Sequence, residues 1–417
     1  MPTIPHIPRH ATQVLADNIA SFPAVMIGGA RAVGKTTTAA SFAASFVSLD
    51  EPSVREPFLA NPDVVLKTYQ EPVLLDEWQL VPELLGAVKR AVDSDSSPGR
   101  FILAGSAAPK PGSTQWAGTG RIVNMHMYPL TQGEIHSLDQ SELEQRGTFL
   151  RSILKGRLDD VSVNYLSTKS IDDYVQNILK SGFPFLNSRA FDDDARADWL
   201  ESYLASITQR DILDVNARVQ PASFDRYVHA YLAVAGTYAS EQTLLEAASI
   251  SRVTATNYHD LLKRIYFAQD VLPFESNELS RITKAAKHMI LDASFLGSKA
   301  SDFLQNGNLL GRALEVFVHM QLIPISHLRP NRFRIHQLRK LNSGSEIDFI
   351  LEANTGGVVA IEVKANATSQ QKDARHLVRL RDQLGDRFIA GLVLNTSRGV
   401  KQLDDRIYAA PISCLWD

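Results

Sequence analysis

The chain has 417 residues, of which 44% are hydrophobic and 21% are charged. This composition is typical of a soluble globular protein, and the length predicts roughly two or three domains. The formal net charge of -3 excludes attraction of the whole chain to nucleic acid, and the single cysteine, Cys414, excludes an internal disulfide and a cysteine-based zinc site.

The amino-terminal residues Met1–His6 show no basic region followed by a long apolar region, so we expect no signal peptide. The sequence also lacks a run of about 18 apolar residues, and we therefore predict no transmembrane helix. Together these features predict a cytoplasmic protein that does not bind a membrane.

Short apolar runs alternate with helical stretches between residues 24 and 110. The runs that predict β-strands are Ala24–Ile27, Phe46–Leu49, Val73–Leu75 and Phe101–Ala104. Strands that alternate with helices are typical of a parallel sheet with helices on its faces, so the predicted fold class is α/β.

Residues 29–36 read Gly-Ala-Arg-Ala-Val-Gly-Lys-Thr and match the phosphate-loop pattern G-x-x-x-x-G-K-[ST] in full. The match lies between a predicted strand and a predicted helix, where backbone N–H groups and the helix N-terminus can surround phosphates. Lys35 is predicted to reach the β- and γ-phosphates of ATP, and Thr36 to ligate Mg²⁺. The residues predicted to bind the nucleotide here are Gly29, Ala32, Val33, Gly34, Lys35, Thr36 and Thr37.

Two further apolar strands end in polar residues. Val73–Leu75 is followed by Asp76 and Glu77; we expect Asp76 to hold Mg²⁺, directly or through water, and Glu77 to polarise the attacking water. Phe101–Ala104 leads to Ser106, the candidate sensor of the γ-phosphate. An ordinary polar residue at the end of a strand explains Ser106 equally well.

The segment Gly118-Thr119-Gly120-Arg121 precedes an alternating apolar run. Arg121 could stabilise charge on the γ-phosphate, either in its own subunit or in a neighbouring one. The second arrangement would require an oligomer. A plain surface arginine is at least as good an explanation.

Residues 239–248 and 252–264 predict two helices separated by Ser249-Ile250-Ser251, which is the pattern of a helix-turn-helix. Ser251 is predicted to cap the second helix. The segment carries few positive charges, so a winged helix that acts only as a spacer is as good a hypothesis as DNA binding. If the segment does bind DNA, the residues early on the recognition helix are Arg252, Thr254, Thr256 and Asn257.

Two predicted strands near the carboxyl end, Glu346–Ile350 and Ile361–Lys364, flank a turn that contains Gly356 and Gly357. The two-residue period puts Glu362 and Lys364 on one face of their strand. Asp348 on the first strand and Glu315 on the preceding helix can complete a ring of carboxylates. Such a ring binds hard divalent cations such as Mg²⁺ or Mn²⁺. The predicted metal ligands are Glu315, Asp348 and Glu362, with Lys364 as a catalytic lysine that orients water or stabilises an oxyanion.

This order of acids and lysine is that of restriction-enzyme-like nucleases. A Glu-x-Lys pair on an exposed strand is, however, more often a salt-bridged surface. The stretch 329–340 contains several basic residues and no acid. It would suit a phosphodiester substrate, and it is equally well explained as an edge strand protected by charge.

Taken as a whole, the sequence resembles the bacterial and archaeal AAA-type ATPases that carry a carboxyl-terminal domain of unknown function, DUF4143. Trp78 and Ser181 depart from the smaller aliphatic residue and the glycine that are usual in that family. The segments that carry the resemblance are Gly29–Thr36, Leu74–Gln79, Ala104–Ser106, Gly120-Arg121, Tyr128–Thr131, Ser181–Pro184, Arg210–Ile212, Gly311–Glu315, Glu346–Phe349 and Ile361–Lys364.

The resemblance implies an ATPase core, a winged-helix middle and a nuclease-like carboxyl-terminal domain. We predict a P-loop AAA-type ATPase domain at 1–137, a helical segment completing or following it at 138–215, a winged-helix-like domain at 216–296 and a PD-(D/E)xK-like α/β domain at 297–417. The predicted function is Mg²⁺-dependent ATP hydrolysis by a protein that acts on DNA, with nuclease activity as a candidate second activity. The alternative is a nucleotide-controlled switch that binds a protein partner and has a catalytically silent carboxyl-terminal domain.

Overall fold

The computed structural model describes residues 7–108, 120–157, 165–216, 219–275, 285–340 and 345–417. Gly118 and Thr119, which belong to the segment predicted to present Arg121, lie outside these residues. The chain forms two compact units. The first unit contains Arg9–Tyr128 and Asp260–Phe267, and the second contains Pro129–His259 and Ala268–Asp417.

The first unit is built on a five-stranded parallel sheet. Its central strands are buried along their whole length, as expected for a parallel sheet covered on both faces. The strands predicted from the apolar runs are confirmed. The five strands are β1 Ala24–Gly28, β2 Ser45–Ser48, β3 Val73–Asp76, β4 Phe101–Gly105 and β5 Ile122–His126, and their order in the sheet is β2-β3-β4-β1-β5. The predicted strands are β1 to β4, and β5 lies in the alternating apolar run after Arg121.

Helices connect these strands and bury their apolar residues against the sheet. In the helix before β4, Leu84, Leu85, Val88 and Val92 lie on one face and join the core of the unit. The helices of this part are α1 His10–Ile19, α2 Lys35–Ala40, α3 Pro52–Ala60, α4 Pro62–Leu66 and α5 Leu84–Ser94.

The second unit begins with a largely helical region. Five residues of it, Ile207–Asp211, form a π-helical turn between two α-helices. The helices up to residue 264 are α6 Gln132–His136, α7 Gln140–Gln145, α8 Thr148–Leu154, α9 Ile171–Lys180, α10 Pro184–Asn187, α11 Asp193–Ser206, α12 Ile212–Val215, α13 Pro221–Val234, α14 Glu241–Ala248 and α15 Arg252–Arg264.

Helices α14 and α15 are the two helices predicted for the helix-turn-helix, and they are joined by a three-residue turn. Ser251 caps α15 as predicted, because its hydroxyl oxygen accepts a hydrogen bond from the backbone N–H of Thr254 at 3.2 Å. Two antiparallel strands follow, β6 Ala268–Val271 and β7 Lys287–Ile290. The order helix, helix, strand, strand is present; assignment to the winged-helix class stays a prediction.

The carboxyl-terminal part of the second unit is a six-stranded mixed sheet. Its strands are β8 Phe333–Lys340, β9 Ser345–Ala353, β10 Val358–Val363, β11 Phe388–Asn395, β12 Lys401–Asp404 and β13 Ile407–Pro411, in the order β12-β13-β11-β10-β9-β8. The predicted hairpin across Gly356-Gly357 is confirmed, since β9 and β10 pair antiparallel. The basic stretch 329–340 contains β8, which is an edge strand of this sheet.

Helices α16 Ala300–Leu304, α17 Gly307–Ser326 and α18 Arg375–Leu384 accompany this sheet. Helix α17 is long and apolar enough to cross a membrane by length and composition alone. However, 67% of its apolar window is buried inside the protein, as in the core helix of a soluble domain.

The unit boundaries differ from the predicted domains. The amino-terminal stretch of the first unit runs to Tyr128 rather than to residue 137, and the three segments predicted after residue 137 lie mostly in the second unit. The predicted domain boundaries stay a prediction. Hydrogen bonds explain the earlier end: the N–H of Leu130 donates to the carbonyl of Gly182 at 2.6 Å, and the N–H of Gln132 donates to the side-chain oxygen of Gln321 at 2.7 Å.

Candidate functional site

The phosphate loop follows the last residue of β1 and leads into α2, at the carboxyl edge of the parallel sheet. Two of its residues have a left-handed backbone, Ala32 with φ 62° and Gly34 with φ 96°. Gly29 is required for a different reason: a Cβ there would lie 2.4 Å from the carbonyl oxygen of Met127. This curled backbone is of the kind that directs N–H groups at an anion.

The ammonium of Lys35 lies inside the loop. It donates to the carbonyl oxygens of Gly29 at 2.9 Å and Ala30 at 2.8 Å, and its side chain is buried. Burial lowers the pKa of Lys35 to about 8, while the nearby carboxylates of Glu77 and Asp76 oppose that shift. An anionic phosphate within the loop would favour the charged ammonium, so the residues present fit the predicted ligand.

Thr36 and Asp76 are in direct contact. The hydroxyl of Thr36 lies 3.0 and 2.9 Å from the two carboxylate oxygens of Asp76. Burial raises the pKa of Asp76, and the hydrogen bond from Thr36 partly opposes this. A hydroxyl and a carboxylate that meet beside a phosphate loop are the oxygen ligands that Mg²⁺ prefers.

Glu77 follows Asp76 with a left-handed backbone, φ 52°, which is rare for a residue with a side chain. Its carboxylate accepts a hydrogen bond from Ser106 at 3.2 Å and another from the side-chain amide of Gln79. That amide also lies 3.2 Å from the Ser106 hydroxyl. Ser106 is therefore placed to orient Glu77, and its role as a sensor of the γ-phosphate stays a prediction.

The structure does not bring Arg121 to the phosphate loop. Arg121 precedes β5, and the first residue of β5, Ile122, pairs in parallel with Ala24 at the start of β1. Arg121 is thus at the amino edge of the sheet, whereas the phosphate loop is at the carboxyl edge. Its guanidinium pairs with Asp93 at 2.8 Å on the surface. A role on the γ-phosphate of its own subunit is incompatible with this geometry; a role in a neighbouring subunit stays a prediction.

Sequence reasoning missed Arg9. Its guanidinium donates to the carbonyl oxygen of Val33 at 2.7 Å and to that of Tyr128 at 2.6 Å, and the side chain is buried. Arg9 therefore ties the middle of the phosphate loop to the chain after β5. A lone arginine ahead of the first strand gives no local signal of this role.

Replacing Arg9 with alanine is expected to weaken ATP binding by about tenfold. Hydrogen bonds from a charged donor contribute about 1.5–3 kcal/mol, and their loss would let the loop leave the binding conformation. Titration with a fluorescent ATP analogue measures the change. Arg90→Ala, which removes a surface ion pair with Asp63, is the matched control; equal affinity in the two variants would contradict this role.

The second predicted site lies in the second unit, where β9 and β10 bring its acids together. Ile361 pairs with Phe349, so the next pair places Glu362 opposite Asp348. Asp348 also accepts a hydrogen bond from the N–H of Val363 at 2.9 Å. Lys364 contacts Glu362 at 2.7 Å. The predicted shared face of Glu362 and Lys364 is thus present.

A lysine that sequence reasoning missed completes this cluster. Lys287 on β7 is fully buried, and its ammonium lies 2.5 Å from Glu315 and 2.7 Å from Asp348. Burial alone would lower the pKa of Lys287, but the carboxylates of Asp348 and Glu315 outweigh it and raise the pKa. The ammonium therefore stays charged between the two acids.

Two of the acids in this cluster, Glu315 and Glu362, have raised pKa values. Burial raises the pKa of Glu315 to about 8 and that of Glu362 to about 8, and the negative charge of Asp348 adds to both shifts. A divalent ion bonds to carboxylate oxygens at about 2.0–2.6 Å. The Lys287 ammonium occupies the position between Oε2 of Glu315 and Oδ1 of Asp348, so these two oxygens cannot share a metal while Lys287 lies between them.

Comparison with known protein families gives the class of each end of the chain. Residues 21–136 match the AAA domain, and residues 310–415 match the domain of unknown function DUF4143. Between them, residues 171–304 match a second domain of unknown function, DUF8612. The chain therefore combines an amino-terminal AAA domain, a nucleotide-binding domain of the ATPase type, with a carboxyl-terminal DUF4143 domain.

Two curated relatives are similar to this chain over most of its length. They are an uncharacterized protein of Mycobacterium bovis and an uncharacterized protein of Mycobacterium tuberculosis. Each is 24% identical over 354 residues, which covers 83% of this chain and 71% of the relative.

Proposed function

We propose that the protein is a Mg²⁺-dependent ATPase whose second unit is a binding module that does not cleave nucleic acid. The observation that supports hydrolysis is the close grouping of Lys35, Thr36, Asp76 and Glu77 at the carboxyl edge of one parallel sheet. Ligands of open α/β sheets bind at that edge.

Each of these side chains has a distinct role in the proposal. Lys35 gives up its contacts to the loop carbonyls and pairs with the β- and γ-phosphates. Thr36 and Asp76 would hold Mg²⁺, which would supply charge neutralisation on the phosphate oxygens when bound. Glu77, held by Ser106 and Gln79, orients the water that attacks the γ-phosphate and accepts its proton.

The position of Lys287 supports a second unit without nuclease activity. An internal ammonium on Glu315 and Asp348 supplies the positive charge that a nuclease metal would otherwise provide. An ammonium cannot lower the pKa of a bound water in the way a divalent ion does. This favours the nucleotide-controlled switch over the nuclease. The predictions of DNA binding, of Mn²⁺ at this cluster, of oligomer formation and of a cytoplasmic location stay open to experiment.

One reaction mixture tests both parts of this proposal. Purified protein is incubated with ATP, Mg²⁺ or Mn²⁺, and single- or double-stranded DNA, and both released phosphate and cut DNA are measured. We expect phosphate without cut DNA. DNA cleavage that disappears in Asp348→Ala and Lys364→Ala would instead establish the nuclease.

Replacing Lys287 with methionine is expected to lower the free energy of unfolding by about 3–5 kcal/mol, because the acids lose their buried positive partner. Added Mg²⁺ or Mn²⁺ should restore part of that loss in the variant alone. Urea denaturation measures both effects, with Lys372→Met on the exposed surface of the same unit as control. A variant as stable as the control would show that the Lys287 ammonium does not hold the cluster together.

A further inference from the structure

A second polar cluster lies on the opposite side of β7. Strand residues alternate between faces, so Lys287 and the next residue, His288, point in opposite directions. His288 pairs directly across the two-stranded sheet with Asp270 on β6. His259 reaches the same place from α15.

These three side chains form a compact set of nitrogen and oxygen donors. Nε2 of His259 lies 2.8 Å from one carboxylate oxygen of Asp270, and Nδ1 of His288 lies 3.4 Å from the other. One donor atom from each residue lies within 4.8 Å of the other two. The donor atoms of a tetrahedral zinc site, bonded at about 2.0–2.1 Å, are a little over 3 Å apart.

The surroundings hold the imidazole rings in place. The ring of Tyr231 on α13 packs against His259 with centroids 5.5 Å apart and against His288 at 5.4 Å. Nδ1 of His259 is buried and has no hydrogen-bond partner among the described residues. The 2.8 Å contact with the Asp270 carboxylate makes Nε2 the protonated nitrogen of the unliganded ring. A cation binds Nε2 once that proton has moved to Nδ1 or left the ring.

Access from solvent is retained. The side chains of His259, Asp270 and His288 are 18%, 19% and 15% exposed. Three protein donors with a remaining open position suit an ion that also binds water. Imidazole is a borderline ligand, so the two histidines favour Zn²⁺ and similar transition ions over Mg²⁺ or Ca²⁺, and these ions also accept the carboxylate of Asp270.

The geometry points to a transition-metal site, with Zn²⁺ as its ion, formed by His259, Asp270 and His288. The ion joins α15 to both strands of the hairpin and so fixes the second helix of the helix-turn-helix against β6 and β7. This site is independent of the ATPase proposal, because none of its ligands belongs to the phosphate-loop site.

The probe for this site is Co²⁺ added to full-length protein that has been stripped with a chelator, without nucleotide. We expect one Co²⁺ per chain with the visible absorption of a tetrahedral ion, displaced by Zn²⁺, and a higher Tm when Zn²⁺ is bound. Asp270→Asn and His288→Gln should each weaken Co²⁺ binding by at least about tenfold. Circular dichroism establishes that both variants are folded.

Two control variants separate this site from others. His229→Gln changes a histidine outside the cluster, on the exposed face of α13, and should leave Co²⁺ binding unchanged. Asp76→Asn removes the Mg²⁺ ligand of the ATPase unit and should leave it unchanged as well. Absence of Co²⁺ binding in the wild type, or binding that survives in both Asp270→Asn and His288→Gln, would overturn the proposal and leave the cluster as hydrogen-bonded side chains only.

Discussion

Replacing Lys35 with alanine is expected to abolish ATP hydrolysis and to weaken ATP binding by at least about 100-fold. Charge-assisted hydrogen bonds contribute about 1.5–3 kcal/mol each, and the Lys35 ammonium is placed to make them with two phosphates. We expect the phosphate loop to keep its backbone conformation in this variant, because Gly29, Gly34 and the contact with Arg9 set that conformation. Phosphate release and titration with a fluorescent ATP analogue measure the two effects.

The matched control is Lys67→Ala, which removes an exposed lysine from the same unit. It should hydrolyse ATP at the wild-type rate. Unchanged ATP affinity in Lys35→Ala would contradict the assignment of the phosphate loop as the ATP-binding site.

Replacing Glu77 with glutamine is expected to separate binding from chemistry. The amide keeps the size of the side chain and can still contact Ser106 and Gln79, so ATP should bind as in the wild type. It cannot accept a proton from water at neutral pH, and a positioned general base contributes about 10²–10⁴-fold to the rate. We therefore expect hydrolysis to fall within that range.

Glu83→Gln is the control for this experiment, since Glu83 is an exposed acid a few residues further along the chain. A Glu77→Gln variant that hydrolyses ATP as fast as Glu83→Gln would mean that another group activates the water. A variant that loses ATP affinity would mean that Glu77 acts on Mg²⁺ or on the fold instead.

The first unit could be predicted from the sequence because its signals are local. The apolar run ending at Gly28, the loop from Gly29 to Thr36 and the run ending at Asp76 each lie in one short segment. A parallel sheet then brings the strand ends to one edge without further information. Arg121 shows the limit of this reasoning. It lies just before β5, and the parallel pairing of β5 with β1 puts that end of β5 at the edge of the sheet opposite the phosphate loop.

The carboxylate cluster was predicted only in part, for a physical reason. Asp348 and Glu362 lie on a hairpin, so strand pairing fixes their approach. Lys287 lies far before Asp348 in the sequence and belongs to the separate two-stranded sheet of β6 and β7. No local sequence pattern therefore connects it with the acids. The same holds for Arg9, whose partners Val33 and Tyr128 are distant in sequence.

The most direct test of the account is the rate of phosphate release from ATP by the wild-type protein, measured with Mg²⁺ and again with excess chelator. The grouping of Lys35, Thr36, Asp76 and Glu77 predicts release that requires Mg²⁺ and is lost when the ion is removed. Release that continues in chelator, or no release with Mg²⁺ present, would contradict the assignment of this site as a Mg²⁺-dependent ATPase.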